Sequence, residues 1–396
     1  MLSLEPMSLA GQHEWLLPPS KSHMIRWLTL ASQGNSECGL QFEGEPGKDV
    51  ESMVGCLEKM GVEVVRGEIW VVCPPENGLK SPDVPLNCGN SGTAARILTA
   101  LSATIGREVK IDGDESLRSR SSESLNNTLR ELGCEISSDR VPYTVKGPIK
   151  GGETSLDLGS SSQPLTALAL SSPSFSESVI LNLQGQPVSR GYSQLTFDIT
   201  SICGSPNIIS NPLSLNSWEV QTPNIVNIPP ELSLFPMAII LELLYDDLAL
   251  RTSLPTYDPL VLIAIDEIDR ANGGQVDLRD ASDLVTPAAV WMALTNGGEI
   301  TGIPHARGKE SNRISRTVEL LSSFGMVSEE TEDGLKILGG QRPTRPDSVV
   351  ETHMDHRLAM VAIILASKVG GDILNPEICE VTHPNFVEQL ISLSQP

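Results

Sequence analysis

Positive charge is scarce in this sequence: 28 lysines and arginines stand against 50 aspartates and glutamates, for a net charge of −22. Non-specific nucleic-acid binding depends on neutralising many phosphates, so that class of partner is disfavoured. An anionic membrane surface is disfavoured for the same reason. Histidine is scarce too, six in all, with no H-E-x-x-H motif, so no metal site is expected. The seven cysteines (Cys38, Cys56, Cys73, Cys88, Cys134, Cys203, Cys379) are scattered singly, with no C-x-x-C. That pattern argues against a zinc site or a disulfide framework and for reduced thiols in a cytoplasmic protein. The longest apolar run, Leu234–Leu244, contains Pro236 and Glu242 and falls short of the roughly 20 residues a membrane span needs. Met1–Leu17 has no basic start and no sustained apolar stretch, so no secretory leader is expected. Nucleotide signatures are missing as well. There is no G-x-G-x-x-G, and Gly47-Lys48 and Gly308-Lys309 lack both the earlier glycine and the following Ser/Thr of a phosphate loop. A G-x-S-x-G hydrolase elbow is also absent.

What is present is a soluble α/β pattern of two-domain size. The 396 residues exceed one ordinary domain, and 39% hydrophobic with 20% charged residues fits a globular enzyme. One local pattern recurs. Leu57–Met60, Leu129–Leu132 and Leu320–Phe324 read as helix ends, each closed by a glycine (Gly61, Gly133, Gly325) and followed by two short strands. Glycine after a helix supplies the left-handed turn that ends it, and three such copies indicate a supersecondary unit used repeatedly. Pro18-Pro19 and Pro229-Pro230 mark crossing points between lobes, because proline stops a helix and stiffens a linker. The expected lobes are 20–229, inserted, and 1–19 with 230–396, and ligands are expected in the cleft between them.

The few cations gather where hydroxyl or small residues open helix-like runs. Such a start offers free N–H groups and the positive end of the peptide dipoles, so added cations reinforce an anion site. Pro19-Ser20-Lys21-Ser22-His23-Met24-Ile25-Arg26 is the clearest case, with Ser22 and Arg26 on one helical face. Gly89-Asn90-Ser91-Gly92-Thr93-Ala94-Ala95-Arg96 allows close backbone approach to a ligand before a helix begins. Asp112–Arg120 forms a polar loop carrying two arginines, and Ser160-Ser161-Ser162-Gln163 opens a further apolar run. Ser282-Asp283, Lys309-Glu310-Ser311-Asn312-Arg313 and Asp355-His356-Arg357 do the same later in the chain. Lys309 and Arg313, four apart, are expected on one helix. Each segment alone passes for an ordinary cap. Together, from residue 20 to 357, they describe a site for a multiply charged small anion.

In this order the motifs P-x-S-K-S-x-x-x-R, G-N-x-G-T-x-x-R, D-G-D-x-S-L-x-x-R, S-S-Q, K-E-S-x-R and D-H-R resemble the family of 5-enolpyruvylshikimate-3-phosphate synthases (3-phosphoshikimate 1-carboxyvinyltransferases), over nearly the whole chain. The resemblance implies a two-lobed α/β enolpyruvyl transferase fold of six βαβαββ units, three per lobe. It implies transfer of the enolpyruvyl group of phosphoenolpyruvate to the 5-hydroxyl of shikimate 3-phosphate by addition–elimination, in aromatic amino-acid biosynthesis. No metal or organic cofactor is implied, and the protein is expected to act as a monomer. Residue by residue, Lys21, Ser22, Arg26, Ser161, Ser162, Gln163, Ser189, Asp283 and Lys309 resemble the shikimate 3-phosphate ligands. Lys21, Gly92, Arg120, Gln163, Arg313 and Arg357 resemble the phosphoenolpyruvate ligands. Asp283 resembles the proton acceptor, Glu310 a proton-transfer partner and Lys21 a catalytic cation.

The chain departs from the family pattern at four places. Val381 stands where many relatives carry a lysine, Ser121 follows Arg120 where proline is usual, and Asn312 replaces a common aspartate. The serine-rich crossing segment is reduced to Glu231-Leu232-Ser233-Leu234. The loss of a cation at Val381 implies altered phosphoenolpyruvate affinity. It also motivates an alternative, a shikimate-phosphate-binding relative without turnover. The sister transferase acting on UDP-N-acetylglucosamine is the nearer rival, but it typically has Lys-Asn at the first helix and a cysteine near the place of Glu115. This chain has Lys21-Ser22.

Overall fold

One strand order recurs in three sheets of the computed structural model, which describes residues 1–254 and 258–394. In the sheet Leu86–Asn87, Val109–Asp112, Tyr143–Lys146, Glu135–Ile136, the first pair is parallel and the next two are antiparallel. Parallel neighbours need a crossover, and helix Gly92–Ser102 supplies it. Helix Glu123–Glu131 then leads into the antiparallel pair. Gln275–Asp277, Gly298–Thr301, Leu335–Ile337 and Ser328–Glu330 repeat the order around helices Val285–Leu294 and Arg313–Ser323. The third sheet takes its first strand, Ile225–Asn227, from far along the chain to pair with Cys38–Gln41, followed by Ile69–Cys73 and Glu63–Val65. A three-stranded sheet (Gly152–Asp157, Val179–Gln184, Leu213–Leu215) keeps the parallel pair and one antiparallel neighbour. Two-stranded pairings join Leu248–Arg251 to Gly11–Glu14 and Leu2–Leu4 to Gly371–Ile373.

The local chemistry explains the repetition. Gly61, Gly133 and Gly325 follow helices Lys48–Lys59, Glu123–Glu131 and Arg313–Ser323 with φ of 97°, 87° and 71°. A Cβ is disfavoured there, so glycine lets the chain turn out of the helix and enter the hairpin. Helix Val285–Leu294 is buried at every position, as its apolar composition on all sides requires.

The chain forms two compact units. Pro19–Glu43 with Lys48–Pro229 make the inserted unit; Met1–Pro18, Gly44–Gly47 and Pro230–Pro396 make the terminal unit. The main divisions fall inside the two Pro-Pro pairs, where Ser20 N donates to Pro229 O and Glu231 N to Pro18 O, each at 2.8 Å. Gly44–Gly47, inside the span read as one lobe from sequence, packs with the terminal unit instead. A Cβ on Gly47 would stand 2.4 Å from the Val381 carbonyl oxygen. Each unit has its own apolar core. Among the described residues, no helix is long and apolar enough to cross a membrane.

Two core histidines give the fold a pH dependence. His383 packs edge-on against Phe386 and Trp15, with ring centroids 5.5 and 6.4 Å away, and burial lowers its pKa to about 4. His23 is lowered to about 3 by burial and then by Arg26. Both lie below the ordinary value near 6.5, so between pH 6.5 and about 4 the unfolded chain takes up protons that the native state refuses. Stability is therefore unaffected above that window and falls as pH drops through it, by ~1.4 kcal/mol per pH unit for each histidine. Denaturant unfolding at pH 7, 6 and 5 should show this loss, and His383→Gln should make it shallower. A midpoint independent of pH over that range would refute the account.

Candidate active site

The first turn of a helix leaves backbone N–H groups without helical partners, and polar side chains collect at these starts in both units. In the inserted unit, Lys21 begins helix Lys21–Ala31 and its Nζ lies 2.9 Å from Oδ2 of Asp49, a residue 4% exposed. Ser22 follows and is half-buried. Arg26 is buried. Its Nε donates to Thr196 Oγ1 at 2.9 Å, Nη1 to the Ser22 carbonyl at 2.8 Å, and Nη2 to the Tyr192 carbonyl at 2.9 Å and Thr166 Oγ1 at 3.3 Å. One guanidinium thus joins helices Lys21–Ala31, Gln163–Ser171 and Arg190–Ile202.

The Ser-Ser-Gln segment sits at the second of these helices. Ser162 is buried at the N-cap, and Ser161 Oγ accepts from Gln163 N at 3.1 Å. Ser189 is buried at the N-cap of Arg190–Ile202 with φ 53° and ψ 42°, a left-handed conformation that costs a non-glycine residue roughly 1–2 kcal/mol. Gln163 reaches the Gly92 turn: its Oε1 accepts from Arg96 Nη1 at 2.6 Å and its Nε2 donates to Thr93 Oγ1 at 2.9 Å. Arg96 also donates to the Gly92 and Ser121 carbonyls at 3.1 and 2.8 Å. Arg120 is held by Asn90 through both its carbonyl (3.1 Å) and its Oδ1 (2.7 Å), and by Ser116 Oγ at 2.8 Å. A Cβ on Gly92 would lie 2.7 Å from Arg96 Nη1, 3.5 Å from Arg120 Nη1 and 3.7 Å from Gln163 Oε1. The bare Cα of Gly92 is therefore where three polar side chains converge.

In the terminal unit the hub is Arg313, the first residue of helix Arg313–Ser323 and 0% exposed. Its Nε and Nη2 donate to the two oxygens of Asp355 at 3.0 and 3.3 Å, its Nη1 to Asp283 Oδ1 at 2.9 Å, and its Nη2 also to Glu310. Burial alone lowers an arginine pKa, but Asp355, Glu310 and Asp283 outweigh it and hold this guanidinium above its ordinary value. Lys309 Nζ stands 3.8 Å from Asp283 Oδ1 and Arg357 Nε 4.0 Å from it, so three cations surround one carboxylate. Asp283, Lys309 and Glu310 keep some exposure, while Arg313, Asp355 and Arg357 are buried beneath them. His305 lies in the preceding 3-10 turn, Pro304–Gly308. Burial, reinforced by Lys309, lowers its pKa to about 4, so it is neutral at pH 7.

One expectation needs correction. Lys309 and Glu310 do not share a helix with Arg313. The chain leaves the 3-10 turn at Gly308, and Asn312 caps the new helix by accepting from Ser315 N at 3.4 Å. A capping side chain of this kind offers the backbone an alternative to continuing the helix. Arg26 and Arg313, expected among the ligands, face protein partners in this structure and fix the accessible groups around them. Asp49, Asn90, Arg96, Ser233 and Asp355 were not among the expected site residues. Arg96 was within reach, four positions after Gly92 on the same helix. Asp355 was visible only as a cap, because its contact with Arg313 spans 42 residues of sequence. Among the described residues, no group of three or more His, Cys, Asp and Glu side chains is arranged to hold a metal.

The sequence profile described as EPSP synthase (3-phosphoshikimate 1-carboxyvinyltransferase) matches residues 12–204 and 260–390. The chain belongs to the EPSP synthase family. Curated members named 3-phosphoshikimate 1-carboxyvinyltransferase include one from Methanobrevibacter smithii, 30% identical, with 94% of each chain covered. Another, from Methanothermobacter thermautotrophicus, is 30% identical over 95% of this chain and 94% of the relative. Among solved structures, an EPSP synthase from Acinetobacter baumannii superposes with a TM-score of 0.78 at 19% identity, covering 99% of this chain and 97% of that one. The enolpyruvyl transferase NikO from Streptomyces tendae gives a TM-score of 0.76 at 15% identity, covering 99% and 96%. At those identities the two structures speak for the fold, and the family's assignment rests on the sequence matches.

Proposed function

We propose that the chain transfers the enolpyruvyl group of phosphoenolpyruvate to the 5-hydroxyl of shikimate 3-phosphate and releases phosphate. The observation that carries this reading is the Asp283 carboxylate, partly exposed, with Arg313, Lys309 and Arg357 at 2.9, 3.8 and 4.0 Å. A carboxylate takes a hydroxyl proton, and cations beside it stabilise the negative charges of a phosphorylated, carboxylated substrate. In this reading Asp283 accepts the 5-hydroxyl proton as oxygen attacks C2 of phosphoenolpyruvate, and Glu310 and Lys21 serve proton transfer to C3. The resulting tetrahedral intermediate then expels phosphate. Ser161, Ser162, Gln163 and Ser189 would bind shikimate 3-phosphate, with Ser22 and Arg26 beside them. Gly92, Arg120 and Arg357 would take phosphoenolpyruvate. Val381 is buried in the 3-10 turn Pro376–Val381 and brings no cation, so we expect weaker phosphoenolpyruvate binding than in relatives with lysine there. We place the activity in the cytosol, on a single chain, in keeping with seven free thiols.

Purified protein mixed with both substrates should release inorganic phosphate, and neither substrate alone should do so. Binding of shikimate 3-phosphate without release would reject catalysis. Gly92→Ala should raise the KM for phosphoenolpyruvate at least tenfold. A methyl group 2.7 Å from Arg96 Nη1 must push that arginine, and with it Gln163, out of register. An unchanged KM would detach this turn from phosphoenolpyruvate.

A further inference from the structure

The return crossing from the inserted unit runs Pro229-Pro230-Glu231-Leu232-Ser233, and three residues past the prolines, at Ser233, it meets Arg357. Ser233 holds that arginine twice: its carbonyl accepts from Nη1 at 3.0 Å and its Oγ from Nη2 at 2.9 Å. The same Oγ donates its own proton to Glu231 Oε1 at 2.6 Å. A continuous line results, guanidinium to hydroxyl to carboxylate, with an ionised group at each end. Charge-assisted hydrogen bonds are roughly twice as strong as neutral ones, and a hydroxyl polarised from both sides gains further. All three residues are buried: Glu231 is 4% exposed, Ser233 1% and Arg357 2%. Removing a carboxylate from water is expensive unless an opposite charge compensates it, so a glutamate placed here needs a reason.

Backbone geometry fixes both ends of the line. Glu231 N donates to Pro18 O at 2.8 Å, which ties the glutamate to the outgoing crossing of the chain. The Leu232–Leu234 3-10 turn that follows closes through Leu234 N on the Glu231 carbonyl at 3.1 Å. Arg357 is fixed at the other end by the start of helix His356–Val369, where its N–H donates to Asp355 Oδ1 at 3.0 Å. With both backbones held, the Ser233 hydroxyl, together with its carbonyl, directs the guanidinium.

We infer that Glu231 is a positioning residue that orients Arg357 for phosphoenolpyruvate through the Ser233 hydroxyl, tying this anion site to the crossing between the units. The inference rests on the proposed assignment of Arg357 to phosphoenolpyruvate. Two variants test it. Ser233→Ala cuts the line and should raise both the KM and the directly measured Kd for phosphoenolpyruvate about tenfold, with the Kd for shikimate 3-phosphate unchanged. Ser233→Thr restores a hydroxyl and should recover most of the loss. Glu231→Gln keeps an acceptor without the charge and should fall between wild type and Ser233→Ala. A Kd for phosphoenolpyruvate unaltered in Ser233→Ala, or equal losses for both substrates, would overturn the inference. So would failure of the threonine to recover what the alanine loses. Failure of the underlying reading looks different: Arg357→Lys would then leave phosphoenolpyruvate affinity at the wild-type value, whatever the Ser233 variants do.

Discussion

Asp283→Asn is expected to lower kcat by about 10²–10⁴ while the protein remains folded, the usual range for loss of a positioned acid–base group. Asparagine preserves the volume and the Oδ1 acceptor that Arg313 Nη1 meets at 2.9 Å. Arg313 also keeps both oxygens of Asp355 and its contact with Glu310, so the buried charge stays compensated. What disappears is the group that takes the proton from the attacking hydroxyl. Loss of one negative charge beside Lys309 and Arg357 also makes the cluster more positive. The KM for phosphoenolpyruvate should therefore hold or fall, and the effect should lie in kcat. Steady-state kinetics with both substrates, together with denaturant unfolding, separate these outcomes. A kcat within a few-fold of wild type would remove Asp283 as the base. A parallel loss of stability would mean its carboxylate is needed chiefly to compensate Arg313.

Local order in the sequence revealed much of this arrangement, and long-range order did not. Gly61, Gly133 and Gly325 identified helix ends because a left-handed residue has a strong preference for glycine, and all three adopt positive φ. Apolar runs from Leu165, Pro287 and Leu358 lie within helices Gln163–Ser171, Val285–Leu294 and His356–Val369. Periodicity does not report which strand pairs with which. That Ile225–Asn227 completes the sheet of Cys38–Gln41 depends on contacts across most of the inserted unit. At the site the same division holds. Lys21, Gly92, Asp283 and Arg357 were legible as members of a series of polar helix starts, and Asp283 taken alone passed for an ordinary cap. Asp49, Asn90, Ser233 and Asp355, which hold Lys21, Arg120, Arg357 and Arg313, are common polar residues whose importance arises only from what the fold brings against them. The non-helical segment 309–312 escapes a reading by spacing because two cations four apart fit a helix and a loop equally well, and the Asn312 cap decides between them.

Asp355→Ala should destabilise the protein by about 3–5 kcal/mol, the range for breaking a buried pair on one side. Asp355 and Arg313 are both 0% exposed, and the carboxylate receives Arg313 Nε at 3.0 Å, Arg313 Nη2 at 3.3 Å and Ser311 Oγ at 3.1 Å. It also caps helix His356–Val369 by accepting from Arg357 N, and loss of such a cap costs about 1 kcal/mol by itself. The alanine would leave Arg313 with Asp283 and Glu310 only, both at the edge of solvent and both needed by the proposed chemistry. A surface pair offers a contrast: Arg66 with Glu51, each about two-fifths exposed, should contribute less than about 1 kcal/mol. Urea unfolding of Asp355→Ala and Glu51→Ala should show this difference directly. Arg313→Met combined with Asp355→Ala removes the uncompensated charge along with its partner. The double variant should therefore lose clearly less than the sum of the two single losses. Additive losses would mean that the two residues stabilise the fold independently, and a loss under 1 kcal/mol for Asp355→Ala would deny the buried pair its structural role.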